Sequence, residues 1–263
     1  GRHQDTLQPS QVKQYAVEHG LPVLQPVKMK EPEFVEQLRS YQVDLQVVVA
    51  FRMLPEVVWA MPKFGTFNVH AALLPQYRGA APINWAVING EKETGVTTFF
   101  LDHDIDTGRI IMQKRFPIPE SADVEYVYDG LMHLGADLAL ETIDALIAAG
   151  GNIESMPQEK LIGEGVELKS APKIFKETCR IDFHKPAKQV YDFVRGLSPY
   201  PGSWTEIKKK ASVVIFEDAD GEMPEATAHP AQQKSAAKIQ VLKIFKTSLT
   251  EFSRGVAPVG SLR

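Results

Sequence analysis

The chain has 263 residues, 44% of them hydrophobic and 24% charged, enough for one large domain or two smaller ones with true cores. No apolar run approaches the roughly 20 residues of a membrane span, the opening residues contain no apolar signal segment, and the single cysteine, Cys179, excludes an internal disulfide and any Cys-based zinc site, so a reduced, cytoplasmic protein is expected. The net charge of −4 is unevenly spread: residues 177–263 carry 13 Lys+Arg against 10 Asp+Glu, a balance of +3, and residues 1–176 carry 16 against 23, a balance of −7.

The first two-thirds alternates helix and strand signals, the mark of an α/β fold with a Rossmann-like, mostly parallel sheet and crossover helices. Ser10 is placed to cap a helix carrying Val12, Tyr15 and Ala16, which Gly20 stops. Leu21 to Leu24 reads as a short strand, and Phe34, Val35 and Leu38 mark a second helix. Leu45 to Ala50 is a continuous apolar run, as expected of a strand buried on both faces. Pro55 fits the first turn of a short helix ending before Pro62, and Gly65 to Val69 reads as another buried strand. Val96 to Leu101 and Ile110 to Phe116 are further strands, and Val124, Val127, Leu131, Leu134 and Leu138 have the spacing of a helix that ends at Gly150-Gly151.

From 151 to 176 the pattern weakens into a linker. Beyond it come Ile181-Asp182-Phe183, a helix through Val190, Phe193 and Val194, strands at 203–208, 211–217 and 239–246, and a polar loop from Asp218 to Lys238. This second region, 177–263, reads as a small β-barrel whose basic balance could suit phosphates, although on charge alone a solvated surface is the favoured reading. The chain opens in a polar loop, where an open sheet normally begins with a strand and a tight turn, and it closes at Gly260-Ser261-Leu262-Arg263 as if in mid-strand. An incomplete copy of a longer protein is therefore expected.

The chemistry concentrates at the carboxyl end of the strand 65–69, where open α/β sheets place their ligand crevice. Residues two apart on a strand share a face, so Asn68 and His70 leave it in the same direction. Moving a one-carbon acyl unit onto an amine without a covalent enzyme intermediate needs a fixed donor for the oxygen that becomes negative. It also needs a group titrating near neutrality for the departing proton. The Asn68 amide and the His70 imidazole are those groups, and Asp106, ahead of the Thr107-Gly108 turn, is the candidate carboxylate to orient the ring. Each alone has a simpler reading as a turn former or a core histidine, and their co-occurrence around one Pro/Arg/Gly loop favours chemistry. Arg78 in that loop either binds an anion or pins the loop. Asp102-His103-Asp104-Ile105-Asp106 lacks the Gly and Glu of a calcium loop, because Thr107 and Gln113 stand in their places; no metal is expected. Phe51-Arg52-Met53-Leu54 follows the buried strand and should line the crevice, with room for a flat heteroaromatic ring.

Asn68-x-His70, then Leu73-Leu74-Pro75-x-x-Arg78-Gly79-Ala80-x-Pro82, then Asp106-x-Gly108, resembles the signature of the 10-formyltetrahydrofolate-dependent formyltransferases. The likeness extends to Val47-Val48-Val49-Ala50, to Gly90-Glu91 through Thr94-Gly95-Val96-Thr97, to Arg180-Ile181-Asp182-Phe183 and to Pro199-x-Pro201-Gly202-Ser203-Trp204. Within the family it is most similar to the members that formylate methionine on initiator Met-tRNA. The resemblance implies a catalytic domain over 1–150, a linker over 151–176 and a tRNA-binding, OB-like domain over 177–263. It implies Asn68, His70 and Asp106 as the catalytic trio and 10-formyltetrahydrofolate as formyl donor. The folate would lie against Phe51, Met53, Leu54, Leu74, Pro75, Val96, His103, Asp104 and Ile105. Arg2 and Lys208-Lys209-Lys210 would contact tRNA, and the protein would act as a monomer. By the same resemblance, the chain is expected to lack the family's first strand and to carry a barrel cut short. The alternative is a sugar-nucleotide N-formyltransferase, against which the Ala80-Ala81-Pro82 run and the Ile181-to-Trp204 stretch weigh. A formyltetrahydrofolate hydrolase domain, glycinamide ribonucleotide formyltransferase and a non-catalytic tRNA-binding protein fit less well.

Overall fold

The structure is a computed structural model and describes residues 9–49, 53–208 and 239–247. In chain order the first half runs α1 (Gln11–Glu18), α2 (Pro32–Ser40), β1 (Gln46–Val48), α3 (Glu56–Trp59), β2 (Thr66–His70), β3 (Arg78–Gly79), α4 (Pro82–Ile88), β4 (Glu93–Phe100) and β5 (Ile110–Pro117). The second half runs α5 (Val124–Ala148), β6 (Ser170–Ala171), α6 (Ala187–Arg195), β7 (Ser203–Lys208) and β8 (Ile239–Ile244).

The main sheet has the order β1-β2-β4-β5. Only β1 and β2 run parallel; β4 is antiparallel to β2, and β5 is antiparallel to β4. Among the described residues the α/β sheet is thus mixed, with one parallel pair, where a mostly parallel one is expected. The loop 101–109 joins β4 directly to β5, and without a crossover helix the chain returns antiparallel to its neighbour. Leu21 to Leu24 is a second correction, because it is irregular chain with Leu21 53% exposed. Pro22 and Pro26 carry no N–H for a ladder, and among the described residues no strand pairs with the segment.

The helix expectations fare better. Ser10 caps α1 by accepting from the Lys13 amide at 3.3 Å, and Pro55 is the residue capping α3 rather than part of its first turn. Asp123 caps α5 by accepting from the Tyr126 amide. Helix α5 buries Val127, Leu131, Leu138 and Leu146 at helical spacing against one face of the sheet. On that face the Thr98 and Thr142 hydroxyls share a hydrogen bond of 2.9 Å. Val96 belongs to the same core. The alternation of β2 and β4 sends Asn68, His70, Thr97 and Phe99 to the opposite face, with His70 beside Thr97 and Asn68 beside Phe99 in register.

The stretch 151–176, read as a linker, is laid along the sheet. Met156 and Ile110 exchange backbone hydrogen bonds of 2.8 Å, residues 158–161 form a 3₁₀ turn, and β6 pairs in parallel with β3. Helix α6 then docks on α4, where the Asn84 amide donates to the Gly196 carbonyl at 2.9 Å. Buried Arg195 donates to the Ala122 carbonyl at 2.8 Å and to buried Asp192 at 2.7 Å. In the second region β7 and β8 form an antiparallel pair. Those two strands are what the described residues hold of the expected barrel; the expected strand at 211–217 and the loop from Asp218 to Lys238 lie outside them. Among the described residues no helix is long and apolar enough to cross a membrane.

Candidate active site

Strand β2 delivers Asn68 and His70 to the sheet face opposite α5, each 6% exposed. The Asn68 amide oxygen is buried without a hydrogen-bond partner. Such an oxygen costs stability, and with it enclosed the NH2 is the end of the amide available to an incoming oxygen. The loop after β2 folds back over the strand ends, fixed by the Thr97 hydroxyl, which donates to the Ala72 carbonyl at 2.6 Å and accepts from the Leu74 amide at 3.1 Å. Gln113 adds bonds to the Leu74 carbonyl and to Thr97.

That loop brings the Tyr77 carbonyl to 2.9 Å from His70 Nε2. A carbonyl only accepts, so Nε2 carries the hydrogen and Nδ1 is the nitrogen free to take a proton. Nδ1 faces Asp106 Oδ2 at 3.8 Å, too long for a hydrogen bond and close enough to stabilise a positive ring. Tyr77 holds its place with φ +60°, its amide donating to the Lys169 carbonyl at 2.6 Å and its hydroxyl to Glu91 at 2.5 Å. Burial, and then the bond to Glu91, push the Tyr77 phenol well above its ordinary range, so it stays neutral and serves as a strut.

Asp106 comes from the loop between β4 and β5. It has φ +56°, a left-handed conformation that aspartate tolerates better than most residues, and its Oδ2 accepts from the Gly79 amide at 3.0 Å. Two residues on, a Cβ at Gly108 would sit 1.7 Å from the Phe100 carbonyl oxygen, so only glycine closes the loop there. The two readings of Arg78 are resolved toward pinning. Its Nε and a terminal nitrogen donate to Gln158 Oε1 at 3.0 and 2.6 Å.

The predicted trio therefore converges, and the predicted folate residues divide. Leu74 is buried with Phe99 and Ile110 beneath the loop, and Pro75 is buried beside it. Met53 is exposed and Leu54 half-buried just ahead of α3. His103, Asp104 and Ile105 form an exposed rim, with the His103 ring edge-on to Trp59 at 5.4 Å. Val96 is corrected: it is 1% exposed, in the core on the α5 face, because strand alternation turns it away from the crevice. Arg2, Phe51, Lys209 and Lys210 lie outside the described residues, and Lys208 ends β7. Sequence reasoning missed Gln158, Tyr77 and Thr97. The first stands in an aperiodic polar stretch, the second acts through its backbone, and the third reads as an ordinary strand residue, so none had a signal to find.

Residues 2–143 match the formyl transferase family, and residues 173–242 match the formyl transferase C-terminal domain. Methionyl-tRNA formyltransferase of Parabacteroides distasonis is 64% identical over 207 residues, covering 79% of this chain and 63% of that protein. Its namesake in Porphyromonas gingivalis is 50% identical over 201 residues, covering 76% and 61%. The chain thus spans less than two-thirds of the length of these curated relatives. A sugar N-formyltransferase from Shewanella has the same fold, with a TM-score of 0.58 at 20% identity over 76% of this chain and 81% of that one. HypX from Aquifex aeolicus, solved in complex with tetrahydrofolic acid, aligns with a TM-score of 0.53 at 25% identity over 65% of this chain and 28% of that one. Matched over more than half its length by one family and carrying that family's second domain behind it, the chain belongs to the formyl transferases.

Proposed function

We propose that this chain transfers a formyl group from 10-formyltetrahydrofolate to the α-amine of methionine on initiator Met-tRNA, in the cytoplasm. The observation that carries the reading is the convergence of Asn68, His70 and Asp106 on one face of the sheet, with the Asn68 oxygen buried and unpartnered. The names of the relatives at 50–64% identity support the choice of acceptor, and the tetrahydrofolic acid bound by HypX supports the choice of donor.

The amine would form its bond to the formyl carbon of the donor as the bond from that carbon to the folate N10 breaks, N10 leaving as an amine with the proton that His70 relays to it. Asn68 offers its NH2 to the formyl oxygen as charge develops, a contribution of about 3 kcal/mol for a well-placed donor. His70 Nδ1 takes the proton from the attacking nitrogen, since Nε2–H is committed to the Tyr77 carbonyl. Asp106, whose Oδ2 accepts from the Gly79 amide, faces the ring and would stabilise its positive charge. On this reading the folate is held by Leu74 and Pro75 beneath, by Met53, Leu54 and Phe51 at the side, and by the rim His103-Asp104-Ile105. The chemistry then belongs to 1–150, with 151–176 joining it to a tRNA-holding, OB-like region over 177–263 in which Lys208, Lys209 and Lys210 meet phosphates, together with Arg2.

The test supplies the protein with 10-formyltetrahydrofolate and, in parallel, Met-tRNA and an amino-sugar nucleotide. Formyl-Met-tRNA as sole product is expected, with turnover falling roughly 10²–10⁴-fold in His70→Ala and by a similar factor in Asp106→Ala. A formylated sugar would move the acceptor assignment, and near-normal turnover in either variant would remove that residue from the trio.

A further inference from the structure

Gln158 is a fully buried polar side chain, 0% exposed, far in sequence from every residue it touches. Its Oε1 accepts both Arg78 bonds, at 3.0 and 2.6 Å. Its Nε2 donates to the Asp106 carbonyl and to the Gly108 carbonyl, each at 2.8 Å. The neighbour of Arg78, Gly79, gives its amide to the Asp106 carboxylate. One amide thus grips the backbone of Asp106 on one side and, through Arg78, the residue beside the donor that grips its carboxylate on the other.

We propose that Gln158 is a positioning residue, which keeps Asp106 in its left-handed conformation and so keeps the carboxylate opposite His70 Nδ1; the kinetic half of the proposal rests on the functional reading above. The chemistry of an amide is specific to the task. One acceptor atom serves a guanidinium that only donates, and one NH2 group with two hydrogens serves two carbonyls that only accept. Glutamate at 158 would satisfy Arg78 but set a second acceptor oxygen against the two carbonyls. Leucine would fill the space and serve neither side. Without the amide, nothing else among the described residues ties the Asp106 and Gly108 carbonyls to Arg78, and the carboxylate can leave His70 while β2 stays intact.

The proposal is tested by a double-mutant cycle on formyl transfer. Gln158→Leu is expected to lower kcat roughly ten- to a hundredfold, with KM for 10-formyltetrahydrofolate changed less than about twofold, and to have no further effect in an Asp106→Ala background. Gln158→Glu keeps the Arg78 contact and guards against a folding failure. It is expected to fold cooperatively with a lowered melting temperature and still lose kcat. Equal losses in both backgrounds, or a Glu variant with normal kcat, overturn the proposal. Amide hydrogen exchange at Gly79, read without substrate, tests the structural half alone. Faster exchange in both Gln158 variants is expected, and unchanged exchange refutes the positioning role. A wild type that transfers no formyl group while Gly79 responds as expected would sink the functional reading and leave Gln158 as the residue that fastens Asp106.

Discussion

Asn68 carries a cost and a use at the same atom group. Its oxygen is enclosed with no partner, and an unmet buried acceptor costs about 1–3 kcal/mol. Truncation to alanine should therefore leave the melting temperature unchanged or raise it, while kcat falls roughly 10²–10³-fold with the loss of the oxygen's donor. Paired melting and turnover measurements on Asn68→Ala check this, and a variant that loses stability and activity together would make Asn68 a framework residue. At this scale the sequence was readable where chemistry and strand period coincide. The i, i+2 spacing put Asn68 and His70 on one face, and Asp106 was found by its turn. What Arg78 donates to was not readable, because its partner lies 80 residues away and a lone glutamine carries no pattern.

Among the elements, the loop from β4 to β5 has the least freedom. A Cβ at Gly108 meets the Phe100 carbonyl oxygen at 1.7 Å, so Gly108→Ala must push the loop, and Asp106 with it, away from β2. Clashes of this kind typically cost about 1–3 kcal/mol. The expected outcome is a denaturation midpoint lowered by that order together with a loss of turnover larger than the stability loss predicts. An alanine variant with wild-type turnover would mean the loop tolerates displacement. Apolar period and caps located nearly every helix and the strands β2, β4 and β5. Strand direction was not legible, because antiparallel return depends on how 101–109 closes, and that is a property of one turn rather than of the strands' own composition. The false strand at 21–24 arose from apolar residues whose prolines remove the donors that a ladder needs.

Across the whole molecule, the acidic first part would carry the chemistry and the basic 177–263 region would hold tRNA on the proposed reading. If Lys208, Lys209 and Lys210 neutralise tRNA phosphates, log K for Met-tRNA should fall linearly with log salt, and replacing the three lysines by glutamine should flatten the slope by roughly two to three. Filter retention across a salt series measures both, and an unaltered slope would place the tRNA contacts elsewhere. The charge balance and the fading of periodicity after Gly151 are the signals the sequence offers for the proposed division at 151–176. The way 151–176 fastens onto the sheet was invisible, since part of it runs through backbone at Met156, Lys169 and Ala171, where side-chain identity leaves little trace, and part through the side chain of Gln158, a lone residue with no pattern.

The straps supplied by Met156, Gln158 and 169–171 also set an order in time. Ribosomes release the amino-terminal half first, so a nascent chain that has emerged only through α5 already holds Asn68, His70 and Asp106, with Arg78 unpaired and the Asp106 carbonyl unfastened. Only when about twenty further residues clear the exit tunnel can the crevice be drawn shut. On the proposed reading, competence for catalysis would be gained late, once residues 156–171 are available to fasten the loop that carries Asp106.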